Sequence, residues 1–322
     1  MSFEIRTLEP GEIIRENGFY QIPLSRHHSQ PCSGVSVTSG VLRRMEHHGP
    51  SKTWATHMLN PNRFEENRSD ALRLGSAMAA FVEAGIDGLR EHYQILPENR
   101  PDRPTRAQFM ALKEGRESSK ARASIAFWRE VDRDPREYVT ESEFEHIAAM
   151  GLALAADPSA GAVLGGMPEV TMAAYDEQTK LWLLSRPDNV HFDGTSSDYK
   201  KISTQGKPFT TYLVDRLIEK HGYDAQMAFA SDVFERITGI WSNQAGLIFQ
   251  EDTAPYDVIL RPIPEEDLRI GQFLNRHAAI RFRECLDAND WPGPGQHIAP
   301  FNRNEKAREA LLERMETSGV AP

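Results

Sequence analysis

Between Glu169 and Lys200 the helical spacing of the chain gives way to a run of short segments that only a sheet accommodates. Glu169-Val170-Thr171-Met172-Ala173-Ala174-Tyr175 reads as a strand and Asp176-Glu177-Gln178-Thr179 as a turn. Leu181-Trp182-Leu183-Leu184-Ser185-Arg186-Pro187-Asp188 and Asn189-Val190-His191-Phe192 follow. Asp193-Gly194 is a strong hairpin turn signal, and Ser197-Asp198-Tyr199-Lys200 closes the meander. Helical patterns stand on both sides of this block. Sheet and helix faces must bury one another, so a layered α/β or α+β domain is expected.

The helices carry their own punctuation. One is expected over Val37–His48, with capping oxygens on Ser36, Thr38 and Ser39 and a stop at Gly49-Pro50. A second runs from Ser69 or Asp70 to Ala84, where Leu72, Gly75, Ala79 and Val82 keep three-to-four spacing and Gly85 can end it. Residues 91–135 alternate proline and charge, with one helix at Glu117–Glu130. Thr140-Glu141-Ser142-Glu143 is a capping box opening a helix to about Ala156. After the meander come helices at about Pro208–Lys220 and Tyr223–Thr238. Two strands follow on either side of Asp252-Thr253-Ala254, then a long helix from Pro264 to about Ala288 and a polar, helical tail. The expected organisation is an irregular arm over 1–35 with a short strand at Gly18–Leu24, one domain over 36–292, and a tail over 293–322. No solenoid repeat and no low-complexity segment is found.

Composition excludes several classes. Hydrophobic residues at 39% supply a sizeable core, and 37 basic against 47 acidic residues leave a net charge of −10, too mixed for a disordered polyanion. The longest apolar run, Ile147 to Ala156, falls short of the roughly 20 residues that cross a bilayer, and no apolar segment of a secretory leader stands at the N-terminus. A cytoplasmic protein with no membrane partner is expected. Two cysteines, Cys32 and Cys285, exclude a four-thiolate zinc or iron–sulfur site within one chain. The acidic balance argues against a surface coated for nonspecific DNA binding, while leaving room for a local basic groove beside an acidic metal site.

The chemistry gathers in the meander. Asp198 and Lys200 are two apart on one strand and share a face, with the Tyr199 carbonyl between them. The Asp193-Gly194 turn brings Asp188 back toward Asp198, and Glu169 can join from the preceding strand. Carboxylates with a carbonyl oxygen make a hard-oxygen site suited to Mg²⁺ or Mn²⁺. A lysine beside such a site can position a water and stabilise charge on a phosphate, which equips the site for phosphodiester hydrolysis. By spacing alone, Asp-x9-Asp-x-Lys is a common pattern that favours a surface hairpin with solvated charges.

The neighbouring motifs tip that balance. Arg186-Pro187-Asp188-Asn189-Val190 with Ser197-Asp198-Tyr199-Lys200-Lys201 resembles the catalytic hairpin of the PD-(D/E)XK nucleases, and more narrowly that of RecE-type (exodeoxyribonuclease VIII-like) enzymes of phages and prophages. Ser36-Val37-Thr38-Ser39-Gly40-Val41-Leu42, ending in Pro50-Ser51-Lys52-Thr53-Trp54, resembles their N-terminal helix motif. Ala71-Leu72-Arg73-Leu74-Gly75-Ser76-Ala77-Met78, Gly222-Tyr223-Asp224-Ala225-Gln226 and Asn289-Asp290-Trp291-Pro292-Gly293 follow in the family's order, so the resemblance spans about Gly18 to Gly293.

The resemblance implies a restriction-endonuclease-like core, a central mixed sheet flanked by helices. It implies a Mg²⁺- or Mn²⁺-dependent exonuclease that hydrolyses linear duplex DNA, 5′ to 3′, in phage or bacterial recombination or repair. A single-strand annealing protein and a ring-like homo-oligomer are implied as partners. Carried over by residue, Asp188 and Asp198 with the Tyr199 carbonyl hold metal, Lys200 is the catalytic lysine, Glu169 holds a second metal or its water, and Gln226 orients the lysine or a phosphate. There are two departures. The family's helix histidine falls on Ala79, and the aromatic residue four after the glutamine falls on Ala230, with Phe229 adjacent. Ala79 leaves open a catalytically weakened DNA-binding or assembly protein on the same fold. A structure-selective endonuclease is a further alternative.

The remaining signals are bland. His27-His28 and His47-His48 read as surface or capping residues, because neighbours on a helix point apart. His191 falls on the opposite face to Asp188, and Trp241 reads as core. The glycine-rich stretch from Gly161 to Gly166 lacks the Lys-Ser/Thr of a phosphate loop. Arg43, Arg44, Lys52, Arg63, Arg68 and Arg73 give the first two helices positive charge, and Lys201 and Lys207 lie near the hairpin. DNA-backbone contact is expected of some of them.

Overall fold

The structure is a computed structural model that describes residues 3–64, 70–295 and 300–318. Its elements are, in order, β1 (Ile5–Thr7), β2 (Gly18–Gln21), α1 (Leu24–His27), β3 (Ser36–Thr38), α2 (Ser39–Thr56), α3 (Asp70–His92), β4 (Tyr93–Leu96), α4 (Arg106–Lys113), α5 (Ser119–Val131), β5 (Glu137–Thr140), α6 (Glu141–Ala156) and α7 (Pro158–Val163). The meander and its sequel give β6 (Met167–Pro168), β7 (Thr171–Asp176), β8 (Leu181–Ser185), β9 (Asn189–Val190), β10 (Ser196–Ile202), α8 (Thr211–His221), α9 (Tyr223–Thr238), β11 (Ala245–Glu251), β12 (Val258–Ile263), α10 (Glu265–Ala288) and α11 (Glu305–Ser318). Arg68 and the alternative helix start at Ser69 lie outside the described residues, as do the side chains of Ala71 and Leu72.

The class is mixed α/β, as expected, but hydrogen bonding divides the strands. One mixed sheet has the order β1-β2-β7-β8-β3, a second has β12-β11-β10-β9-β6, and β4 pairs with β5 in parallel. The meander joins the two large sheets, because β8 belongs to the first and β9 to the second, with Arg186-Pro187-Asp188 between them. The strand expected in the N-terminal arm forms as β2, which runs antiparallel to β7 with Phe19 in the core, and the arm adds β1 beside it.

Alternation on β11 explains how the second sheet is covered. Leu247 and Phe249 pack with Val214, Met227 and Leu268 from α8, α9 and α10, whereas Ile248 packs with Met78, Ile147 and Met150 from α3 and α6. A strand buried on both faces reads as a continuous apolar run, which Gly246-Leu247-Ile248-Phe249 is. The first sheet is closed by α2, α9 and α10 through Leu42, Met45, Phe229, Val233, Phe234 and Phe282. Fully burying each such side chain contributes about 1.5–3 kcal/mol.

Two helix stops behave differently from the sequence expectation. At Gly49-Pro50 the backbone breaks (Gly49 φ 78°) and helix resumes at once, since proline is tolerated in a first helical turn. Thr53 in the resumed segment is buried, and Trp54 stacks on Trp291 at 4.4 Å, so tertiary packing carries α2 past its local breaker. Likewise Ala84 and Gly85 leave helical geometry inside α3, yet the helix continues to Leu89, which is fully buried. The capping box forms as expected: Thr140 Oγ1 accepts from the Glu143 N–H, and Glu143 accepts from the Thr140 N–H. Gly194 sits at φ 88° in the hairpin turn, where an added Cβ would come within 2.6 Å of the Phe234 ring, so no other residue fits that turn without displacing core.

Candidate active site

The site follows from where β10 loses a neighbour. β10 pairs with β11 along its whole length but with β9 only at Ser196 and Ser197. One step beyond that antiparallel register, Asp188 stands opposite Asp198. From Asp198 onward this side of β10 is an open edge. The Tyr199 N–H points to it and donates to Asp188 Oδ2 at 2.7 Å. In a strand the N–H and C=O of one residue point to the same side, so the Tyr199 carbonyl also faces the Asp188 edge. The Glu169 N–H donates to the Asp188 carbonyl at 3.3 Å, which ties the preceding strand to the same edge.

Alternation separates the side chains. Tyr199 turns toward α3 and α6. Asp198 and Lys200 turn toward α9, where the Lys200 ammonium pairs with Asp198 Oδ2 and lies 4.7 Å from the Tyr223 ring centroid. Asp198 is 3% exposed, so its charge is one that needs a partner. Arg43 of α2 reaches the same aromatic ring at 5.6 Å, and its Nη1 donates to the His221 carbonyl at 2.9 Å. Its positive charge feels that of Asp198, and its Nε is buried with no hydrogen-bond partner. Gln226 is one turn along α9 from Tyr223, and its Oε1 is also buried without a partner.

The electrostatics are those of two carboxylates and one ammonium. Burial, followed by the Asp198 charge, pushes the Asp188 carboxyl up to about 8, against the pull of Lys200 and the Tyr199 N–H. Burial by itself would lower the Lys200 ammonium, but Asp198 and Asp188 outweigh it and hold it above its ordinary value. At neutral pH the site balances Lys200 against Asp198 and keeps a proton on Asp188.

Glu169, Asp188 and Ala79 line one cavity of about 170 Å³ together with Leu164, Asn189 and Tyr199. The histidine position of the helix motif therefore does face the acidic residues, but as a methyl group. Glu169 takes a left-handed backbone (φ 54°), and its carboxylate accepts from Arg186 Nε at 2.8 Å. Asp198 is turned to Lys200 and Glu169 to Arg186, and among the described residues no three His, Cys, Asp or Glu side chains form a metal-holding cluster. The available donors are Asp188, Asp198 and the Tyr199 carbonyl, with Glu169 in the adjoining cavity. Two hard carboxylates set opposite each other, one of them holding a proton that a cation can displace, fit a divalent ion.

The basic residues divide. Arg43 belongs to the site. Arg73 is a structural group, because its guanidinium grips Glu143 at 2.6 and 2.8 Å and the Tyr138 carbonyl at 2.9 Å, tying α3 to the start of α6. Lys201 faces away from Lys200 and pairs with Asp252 at 3.2 Å. Arg44 donates to the Thr56 hydroxyl and lines a separate cavity of about 360 Å³ with His27, His28, His57 and Arg63. Lys207 is exposed in the turn after β10. His27, expected at the surface, is buried, with Nδ1 3.1 Å from the Thr171 hydroxyl. Removing Arg73 tests its assignment. Arg73→Ala is expected to cost about 1–3 kcal/mol, read as a lower urea midpoint, with affinity for duplex DNA unchanged.

Tyr223 and Arg186 were present in the motifs but carried no role there. Their signals were an aromatic one helical turn before Gln226, and an arginine two residues before Asp188.

Among the described residues, no helix is long and apolar enough to cross a membrane. The chain matches no family model and no curated protein. A solved structure does resemble it: the crystal structure of a provisionally assigned exonuclease from Eubacterium rectale superposes with a TM-score of 0.55 at 12% identity, over 93% of this chain and 99% of that one. At that identity, what the two chains share is the fold.

Proposed function

We propose that the chain is a divalent-metal-dependent nuclease that degrades linear duplex DNA from its ends, a member of the PD-(D/E)XK superfamily close to the RecE-type exonucleases. The observation that carries this is the opposition of Asp188 and Asp198 across the open edge of β10, with Lys200 paired to one of them. The likeness in fold to a chain assigned as an exonuclease agrees with it.

A Mg²⁺ or Mn²⁺ ion held by Asp188, Asp198 and the Tyr199 carbonyl would supply Lewis acidity toward a phosphate and acidify a water. The protein's own groups do the rest. Lys200 turns from Asp198 to orient the attacking water, and its position over Tyr223 keeps the ammonium at the site while it exchanges partners. Arg43 and Gln226 offer a buried N–H donor and a buried amide oxygen to the scissile phosphate and to the lysine. Glu169, now paired with Arg186, would hold a second ion or its water. Arg44, Lys207 and Lys201 are the candidates for contacts along the DNA backbone. Service in phage or bacterial recombination, beside a single-strand annealing protein and as a ring-like oligomer, belongs to the same reading.

Ala79 favours a second reading, a DNA-binding protein with weakened catalysis, because it withholds an imidazole from the acidic cavity. One experiment separates the two. End-labelled linear duplex and closed circular duplex are incubated with Mg²⁺, Mn²⁺ or EDTA. Loss of linear DNA alone, only with metal, and not with Asp198→Asn, is expected. Nicking of the circle would make the chain an endonuclease, and full binding with no cleavage under any metal would make it a binding protein.

A further inference from the structure

The open edge that brings Tyr199 to the acidic pocket raises a physical question: what holds a strand rigid where its neighbour has ended? β9 stops pairing at Ser197, so the Tyr199 peptide has no ladder bond on that side, only the Asp188 carboxylate. β11 holds the other edge of β10 along its whole length, but on the open edge the peptide's partner is a carboxylate asked to bind an ion.

The anchor lies on the far face of the sheet. The Tyr199 side chain leaves the sheet on the face toward α3 and α6, and its hydroxyl donates to Gln250 Oε1 at 2.8 Å. Tyr199 is in register with Ile248, so Gln250 is its diagonal neighbour on the same face of β11. Gln250 is fully buried. Its Nε2 donates to the Met150 carbonyl in α6 at 2.9 Å and to the Tyr256 carbonyl at 3.2 Å. Every hydrogen-bonding atom of that amide toward this cluster is used. The oxygen accepts from a phenol, and the two N–H groups serve carbonyls from a helix and a turn.

We infer that Gln250 is a positioning residue for the site. Through the Tyr199 hydroxyl it fixes the β10 edge, and so the directions of the Tyr199 N–H that holds Asp188 and the Tyr199 carbonyl beside it. The inference deepens the proposed metal-dependent nuclease and rests on that reading for its functional meaning. Its chemistry is specific to an amide. A glutamate in place of Gln250 could accept from the phenol but has no N–H for either carbonyl and would bury a charge against two carbonyl oxygens. Methionine would keep the volume and lose all three bonds.

The test uses the full chain with Tyr199→Phe, Gln250→Met and Gln250→Glu. Three quantities are measured: Mn²⁺ affinity by calorimetry, amide hydrogen exchange of the peptide spanning residues 197–202, and thermal midpoint. The expected result is Mn²⁺ binding weakened about tenfold or more in Tyr199→Phe and Gln250→Met, as for outer partners of metal ligands. Exchange at the Tyr199 amide should be faster in both, and Gln250→Glu should be the most affected. A lower midpoint with Mn²⁺ affinity and residue 199 exchange both unchanged would mean that Gln250 only supports the core, and the inference would be overturned. If the wild-type chain binds no Mn²⁺, the nuclease reading fails, and exchange at Tyr199 still decides whether Gln250 fixes the strand edge.

Discussion

Lys200→Ala is expected to lower the rate of linear duplex degradation by about 10²–10⁴-fold, the range associated with loss of a positioned proton-transfer group. It is expected at the same time to weaken the metal-free fold. The reason for both is one contact. The Lys200 ammonium is the cation paired with the nearly buried Asp198, and Asp188 stands opposite without one. Without Lys200, two carboxylates face each other across the strand edge. Breaking a buried pair typically costs 3–5 kcal/mol. Here Asp188 takes up a proton more readily and absorbs part of that, so a loss of about 2 kcal/mol is the expectation, read as the urea midpoint in EDTA. Added Mn²⁺ should raise the midpoint of Lys200→Ala more than that of the wild type, because no resident ammonium competes for the carboxylates. Lys200→Arg separates the two roles. It keeps a cation over Tyr223 and should restore stability, while its wider fork misplaces the water and leaves cleavage impaired. Cleavage by the alanine variant at the wild-type rate would remove Lys200 from the reaction.

Much of this arrangement was legible in the residues because it is local. Strand alternation sets Asp198 and Lys200 on one face, Asp193-Gly194 turns the hairpin, and Thr140 to Glu143 caps a helix, each within a few residues. What was not legible depends on distant packing. Gly49-Pro50 and Gly85 are true backbone breaks, yet α2 and α3 run on, because Thr53 and Leu89 are buried against other elements. The strand expected at Gly18 forms as β2, but β1 forms only because β2 offers it a parallel edge, which nothing near Ile5 announces. The partners of Glu169 and Arg73 are 17 and 70 residues away, so a carboxylate and a guanidinium that looked available are already engaged. Gln250 did leave a trace, a lone amide ending the apolar run Leu247-Ile248-Phe249 in a strand covered on both faces. A polar side chain there must have partners, and those partners lead back to the site.

Asp188→Asn should abolish cleavage and yet stabilise the metal-free protein, by an amount that depends on pH in a way no surface aspartate would produce. Burial and the Asp198 charge hold the Asp188 carboxyl at about 8, whereas in the unfolded chain it returns to 3.8. Between those values the folded state keeps a proton that the unfolded state releases, so stability falls as pH rises. Below about pH 4 both states are protonated, and above about pH 8 both are ionised, so the cost is absent at the low end and fully present at the high end. Asparagine carries no such charge and can still accept the Tyr199 N–H through its amide oxygen. Its advantage over aspartate should therefore grow from pH 5 to pH 8 and then level off, reaching about 2 kcal/mol after allowance for sharing of charge with Asp198 and Lys200. Saturating Mg²⁺ should reverse the order, since only the wild type gains binding energy from it, about 2.7 kcal/mol at a hundredfold excess over Kd. Urea midpoints of both proteins at pH 5 and pH 9, with EDTA and with Mg²⁺, read the pH dependence and the metal dependence separately. Parallel pH profiles for the two proteins in EDTA would mean that Asp188 ionises as freely in the fold as outside it. The opposed, cation-poor pair on which metal binding depends would then not exist.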